Sequence, residues 1–275
     1  NWHGYRCVWA WQSPVPLKDA TEIMARVVSS DGAPASPEIV VNTITVGAQI
    51  QPAVAASAFG FAVAWVSGTN SYTLEYQRVS EAGQKVGGPV LVTTATDWQE
   101  DPVVALSDSG DIVVGWATSG EVFVQRFGPD DSATSAIAIP SAAVVHERRK
   151  PALGLDADSG ALVVVWESVV DSDASASDVV ARLINPATGL PSGQELVVSL
   201  GSGFAFNGDP TVAANGSLAL VCWSASKPGA CTGGLCHNLL CRFLSTEALA
   251  VIGSAFTVGP TSAYAPGNPV VSAGV

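Results

Sequence analysis

The sequence predicts an all-β fold: a five-bladed β-propeller with four antiparallel strands per blade, the ring closed by the C-terminal strand completing the N-terminal blade. Three observations predict it. A proline-led strand recurs five times, at spacings of 50, 49, 59 and 59 residues. Each recurrence is followed by further short β-rich segments separated by Gly-containing turns. The two chain ends carry complementary parts of one repeat.

Strand one reads PAVAASA at Pro52, PVVALSD at Pro102, PALGLDA at Pro151, PTVAANG at Pro210 and PVVSAGV at Pro269. It is small and apolar, as a crowded innermost strand requires. Strand two ends in tryptophan: FAVAW at Trp65, DIVVGW at Trp116, ALVVVW at Trp166 and LALVCW at Trp223. Its apolar residues fall on both parities, so both faces are expected to be buried. Strand three ends in arginine: LEYQR at Arg78, VFVQR at Arg126, VVAR at Arg182 and LLCR at Arg242. Strand four is more polar, as an outer edge should be: PVLVTT at Pro89, AIAIPS at Ala136, ELVVSL at Glu195 and AFTVGP at Ala255. The N-terminus supplies strands two to four of a fifth copy, through Trp11, Arg26 and EIVVNT from Glu38, but lacks strand one. Joining PVVSAGV to the N-terminus restores that copy and removes the free edge. One domain over 1–275 follows, with blade 1 at 1–46 plus 269–275, blade 2 at 52–97, blade 3 at 102–146, blade 4 at 151–206 and blade 5 at 210–265.

Composition narrows the class. Charged residues are 13% of the chain against 48% hydrophobic, yet no apolar run approaches the ~20 residues of a membrane helix. Net charge is −12, with 12 basic and 24 acidic side chains, which argues against nucleic-acid binding. The acidity suits a solvated extracellular protein. The start NWHGYRCVWAW lacks a basic segment before a long apolar core, so a mature form or an excised domain is expected.

The Trp/Arg pattern resembles the propeller repeats of many bacterial secreted and surface proteins. The resemblance covers the whole chain and implies a secreted or cell-surface location. It specifies architecture rather than activity. The turns at Ser107 and Asp156 are similar to sialidase Asp-boxes and integrin-type calcium loops, with neither consensus complete.

Five of the eight arginines (Arg26, Arg78, Arg126, Arg182, Arg242) and five of the eight tryptophans (Trp11, Trp65, Trp116, Trp166, Trp223) occupy fixed repeat positions. A two-residue turn at Ser119-Gly120 would place Trp and Arg on opposite faces of a blade, so that one blade's Trp face meets the next blade's Arg face. Stacked Arg–Trp contacts between blades are expected, and these residues read as structural.

The ligand site is expected on the rim formed by the loops leading into strand one. The residues before the repeat prolines are Gln51, Asp101, Lys150, Asp209 and Asn268, all polar. Trp98, His146, Phe204, Phe206 and Tyr264 lie just upstream. Aromatic faces beside polar side chains suit a sugar, and Trp98, Asp101, Lys150, Phe206, Asp209, Tyr264, Asn268 and Gln51 are the candidate ligand-binding residues. The run Arg148-Arg149-Lys150 either receives a carboxylate or sulfate or pairs with Asp101 or Glu147. The strand one-to-two turns of the opposite rim are short and are expected to lack aromatics.

Among five cysteines, Cys231 and Cys236 flank a Gly-Gly loop and are the expected disulfide, implying an oxidising compartment. A Cys222–Cys241 bridge is disfavoured if Cys222 faces Leu240. No cofactor is expected. Asp171, Asp173 and Asp178 space oxygens as a calcium loop might, without the Glu and Gly of an EF-hand.

The reading favoured by these features is a non-catalytic, lectin-like module binding a glycan or other small polar ligand. A surface scaffold for protein partners is an alternative. So is a glycoside hydrolase of the five-bladed type, for which Asp101, Asp209 and Glu100 are the acids within reach. The three histidines (His3, His146, His237) have no Ser or Cys partner at a recognisable spacing.

Overall fold

The computed structural model describes residues 6–16, 20–68, 72–95, 100–140, 147–156, 159–169, 176–185, 188–231, 234–258 and 269. The described residues form nineteen strands and no helix. Repeat 1 contains β1 (Arg6–Pro14), β2 (Thr21–Ser29) and β3 (Ile39–Val40), in the order β1-β2-β3. Repeat 2 is a four-stranded sheet of β4 (Ala48–Ser57), β5 (Gly60–Gly68), β6 (Tyr72–Val79) and β7 (Lys85–Ala95). Repeat 3 has β8 (Glu100–Leu106), β9 (Ile112–Thr118), β10 (Glu121–Phe127) and β11 (Ile137–Ala138). Repeat 4 has β12 (Glu147–Leu155), β13 (Leu162–Val169), β14 (Ser177–Ile184) and β15 (Pro191–Val197); repeat 5 has β16 (Phe206–Asn215), β17 (Leu218–Cys231), β18 (Gly234–Ser245) and β19 (Ala250–Thr257).

Neighbouring strands within each repeat are antiparallel wherever their register is defined. Repeats 4 and 5 are not separate sheets. The parallel pair Ser177–Phe206 joins β14 to β16, giving one eight-stranded sheet. The expected closing strand, Pro269–Val275, lies outside the described residues beyond Pro269. The chain divides into two compact units: Asn1–Thr118 with Val124–Ala136, and Ser119–Phe123 with Ile137–Val275.

The second strands are buried on both faces, as their sequence demands: every position of β13 is buried, and all but the last of β5 and β9. Trp65, Trp166 and Trp223 are completely buried and Trp116 nearly so, whereas Trp11 is only partly buried. In the first unit Trp65 packs with Val8, Ile23, Val27 and Val63. In the second, Trp223 packs with Val163, Val179, Ala181 and Leu240.

The Arg–Trp geometry departs from expectation. In repeat 2, Trp65 pairs with Glu75 and Ala62 with Arg78, a three-residue offset that puts Trp and Arg on opposite faces. In repeat 4 the pairs are Trp166–Val180 and Val164–Arg182; in repeat 5, Trp223–Leu240 and Val221–Arg242. In repeat 1 they are Trp11–Met24 and Trp9–Arg26. A two-residue offset puts both side chains on one face. The hairpins differ in length, so one repeat's register does not carry to the others. Instead of stacking on tryptophan, Arg78 lies over the rings of Phe59 and Tyr76 and donates to the Gly110 and Gly128 carbonyls and to Asp131. Arg242 donates to the carbonyls of Val198 and Leu200, and Arg182 to those of Pro140 and Gly193. Arg26 pairs with Glu38, and Arg126 with Asp111.

Phe59 also corrects the expectation for the strand one-to-two turns, since this aromatic packs against Gly110, where a Cβ would meet its ring at 2.9 Å. The turn aspartates act as caps. Asp108 accepts the Ala58 amide, and Asp156 accepts those of Ser159 and Gly216.

The disulfide joins Cys222 to Cys241, correcting the expectation that they face apart. Cys222 pairs directly with Cys241, and Leu240 pairs with Trp223, one residue from the expected register. The side chains of Cys231 and Cys236 lie outside the described residues. Cys7 is an exposed free thiol.

Candidate functional site

One backbone device recurs in four repeats. Gln51, Asp101, Lys150 and Asp209 have φ of 54°, 49°, 50° and 50°. Each precedes a repeat proline, and each lies where the strand one–strand two register slips: between Ile50 and Ala53, Glu100 and Val103, Arg149 and Ala152, Gly208 and Thr211. Proline has no N–H to give the ladder, so the chain bulges there. The preceding residue is forced into the left-handed region, which costs a non-glycine residue about 1–3 kcal/mol. Strand one therefore begins upstream of its proline. These polar residues sit inside strands, on bulges, rather than in the loops where the sequence placed them.

In the second compact unit two such bulges meet. Lys150 is hydrogen-bonded to Asp209, 59 residues away, and its Nζ is 3.7 Å from Glu167. Arg149 holds the same Glu167 through Nε and Nη2, at 3.1 and 2.7 Å, and Glu147 at 3.5 Å. Glu167 is completely buried, and its second oxygen accepts the Asp209 amide at 3.4 Å. Gly208 makes this approach possible: a Cβ there would come within 2.6 Å of the Glu167 carboxylate and 3.1 Å of the Phe206 ring. Three carboxylates and two cations thus interlock, with Asp209, Glu147 and Lys150 partly open to solvent and Glu167 beneath them. Burial opposes the charged forms of Lys150 and Arg149. The hydrogen bonds to Asp209 and Glu167, with the surrounding carboxylate charge, outweigh it and raise both pKa values.

The structure brings together three of the expected site residues: Lys150, Asp209 and Phe206. Asp101 and Gln51 share the bulge conformation but belong to the other compact unit. Trp98, His146, Tyr264 and Asn268 lie outside the described residues, as do Asp171, Asp173 and the side chain of Glu100. Asp178 accepts a hydrogen bond from Ser199. Among the described residues no group of three or more His, Cys, Asp or Glu could hold a metal. The basic run is internally paired: Arg148 is 3.6 Å from Glu121, and Arg149 and Lys150 are held as above. Glu167 escaped the sequence reading. Its signal was an acid in the apolar strand LVVVWES, a place where a charge must find a buried partner.

The chain matches no known protein-family model and no curated protein. Solved structures do resemble it. An alpha-L-arabinanase of Penicillium chrysogenum, complexed with arabinobiose, superposes with a TM-score of 0.53 at 13% identity, covering 89% of this chain and 91% of that one. A GH43 endo-arabinanase from Bacillus licheniformis gives 0.43 at 10% identity, over 72% of each chain. A Synechocystis apocarotenoid oxygenase gives 0.46 at 10% identity, and this chain spans 58% of its length. The first of these bears on the fold and supports a propeller-type architecture. At the level of fold it overturns the expectation of a non-catalytic module, because the fold matched over nearly the full length of both chains is one that an arabinanase uses.

Proposed function

We propose that the protein is a glycoside hydrolase acting on a polar carbohydrate, with its site at the Lys150–Asp209 cluster. The observation that carries the reading is the meeting of two strained bulges over a buried carboxylate. Irregular backbone on a rigid sheet scaffold is where function concentrates. Glycoside hydrolysis requires two carboxyl groups flanking the scissile bond. Asp209 and Glu147 are the solvent-reaching pair, Asp209 held by Lys150 and Glu147 by Arg149. Glu167 is enclosed and positions these cations without touching substrate. Phe206 supplies an apolar surface beside them. The likeness to the arabinanase supports the reading at the level of fold.

The test is reducing-end release from arabinan, xylan and their oligosaccharides by the purified protein. Wild type is expected to hydrolyse at least one, and Asp209→Asn to lose 10²-fold or more, in the range of general acid–base contributions. A folded wild type inert on the whole panel, or an Asp209→Asn variant of undiminished rate, overturns the proposal.

Two further parts of the reading rest on the disulfide, the charge and the repeat pattern. The Cys222–Cys241 disulfide and the net charge of −12 support an extracellular location. The split repeat and the three strands of repeat 1 support closure of a five-bladed ring by Pro269–Val275. Truncation after Asn268 is expected to lower the melting temperature, and an unchanged Tm would refute that closure.

A further inference from the structure

The repeat tryptophans differ in one respect. In repeat 2 the Trp65 indole N–H donates to Gln49 Oε1 at 3.0 Å, and in repeat 5 Trp223 donates to Asn207 Oδ1 at 3.0 Å. Both acceptors stand three residues before the repeat proline. Both occupy the same register, since Gln49 pairs with Ser67 and Asn207 with Ala225, each two residues beyond its tryptophan. Repeat 4 keeps that register, with Arg148 opposite Ser168 and Trp166 two residues before it. The side chain at this place is therefore arginine, which has donors and no acceptor.

The consequence is visible in the hydrogen bonding. Trp166 is completely buried and its Nε1–H has no partner. Arg148 turns its Nη1 to the Ile139 carbonyl at 3.4 Å and to Glu121 at 3.6 Å, and its buried Nε–H has no partner. Arg182 lies on the same face as Trp166, with a third unpartnered buried Nε–H. Arg242 shares that last feature in repeat 5, where Trp223 is satisfied, so the pair peculiar to repeat 4 is Trp166 with Arg148. All these orphaned groups are donors. Two belong to guanidinium cations; Glu121 lies half-exposed beside Arg148, and Glu195, with a buried unpartnered Oε2, stands at the strand bulge opposite Arg182, which leaves the Trp166 and Arg148 donors unmatched by a nearer acceptor. A water accepts such bonds but needs acceptors for its own hydrogens, whereas an anion needs only donors and positive charge.

We propose that repeat 4 binds a small monovalent anion of halide type between the Trp166 indole and the Arg148 guanidinium, where repeats 2 and 5 place an amide oxygen. Burial strips both donors of the hydrogen bonds they make to water in the unfolded chain, so occupancy couples directly to stability. The site does not depend on the proposed hydrolase activity.

The experiment is a crystal of the protein grown in bromide, with anomalous scattering recorded at the bromine edge, paired with melting curves in sodium chloride and sodium gluconate at equal ionic strength. An anomalous peak is expected within hydrogen-bonding distance of Trp166 Nε1 and Arg148 Nε. Chloride at ten or more times its Kd is expected to raise Tm by about 3 °C over gluconate. Arg148→Gln installs the residue that repeat 2 uses, and is expected to abolish both effects. A map with no bromine peak there, or with water alone, overturns the proposal, whatever the variant does. So does a halide-dependent Tm that persists in Arg148→Gln.

Discussion

Glu167 and Arg149 face each other directly across the β12–β13 pair, and the completely buried carboxylate holds two nitrogens of the half-open guanidinium. An apolar strand accepts a charge only where the partner is fixed by register. Here the register is set just before the bulge, so the same carboxylate also reaches Lys150 and the Asp209 amide.

Glu167→Ala is therefore expected to destabilise by about 3–5 kcal/mol, the cost of leaving buried charge unpaired. Chemical denaturation of wild type and variant measures it. Glu167→Gln keeps the shape but removes the charge, and should lower the affinity for a carbohydrate substrate more than it lowers Tm. A loss below 1 kcal/mol for Glu167→Ala would show that the cluster is solvated in practice.

Gln51 carries the bulge strain in repeat 2 without ion-pair compensation. Its φ is 54°, and its side-chain Oε1 is buried with no partner. Gln51→Gly removes both costs, against the larger chain entropy that glycine loses on folding. The expected net change is a gain of about 1 kcal/mol. The denaturation midpoint should rise with an unchanged m-value, and a falling midpoint would refute the strain argument.

These bulges also mark the limit of what the sequence discloses. The repeat order, the buried second strands and the polar residue before each proline are all legible, because proline and alternating apolar runs act locally. The left-handed conformation of Gln51, Asp101, Lys150 and Asp209 is not, because X-Pro is ordinarily read as an extended or turn dipeptide. Glu167 joins the site through pairing with residues up to 42 positions away, which no local pattern encodes. The faces of Arg182 and Arg242 depend on the hairpin lengths of their own repeats. The Cys222–Cys241 pairing depends on hairpin length in the same way, since a register shift of one residue separates it from a Cys222–Leu240 pair.

That register gives the disulfide a definite effect. The two cysteines are 19 residues apart and join the central strands of repeat 5. Closing such a loop in the unfolded chain contributes about 3 kcal/mol. Replacing both by alanine is expected to lower Tm by several degrees, and non-reducing peptide mapping should recover the Cys222–Cys241 pair. A map that instead pairs either residue with Cys231 or Cys236 would refute the observed register.

Glu75 offers a test through pH. It is buried opposite Trp65, and desolvation raises its pKa above the ordinary glutamate value of 4.5, while a hydrogen bond from Thr73 opposes the shift. Below pH 4.5 both folded and unfolded states carry the neutral acid, and Glu75 imposes no penalty. As pH rises, the unfolded state ionises first and is favoured by the solvated charge. Stability therefore falls across the window from 4.5 up to the raised folded-state pKa, and stays lower above it. Glu75→Gln cannot ionise and keeps a hydrogen-bonding group beside Thr73. Its stability relative to wild type should be constant at low pH and then rise through that window to a plateau. The other carboxylates are common to both proteins and cancel in the difference. Denaturant midpoints for the pair, taken from about pH 3.5 to 7.5, measure this. A difference that does not change with pH would mean that the Glu75 carboxyl ionises equally easily in both states, and one that falls as pH rises would mean that its charged form is stabilised by the fold.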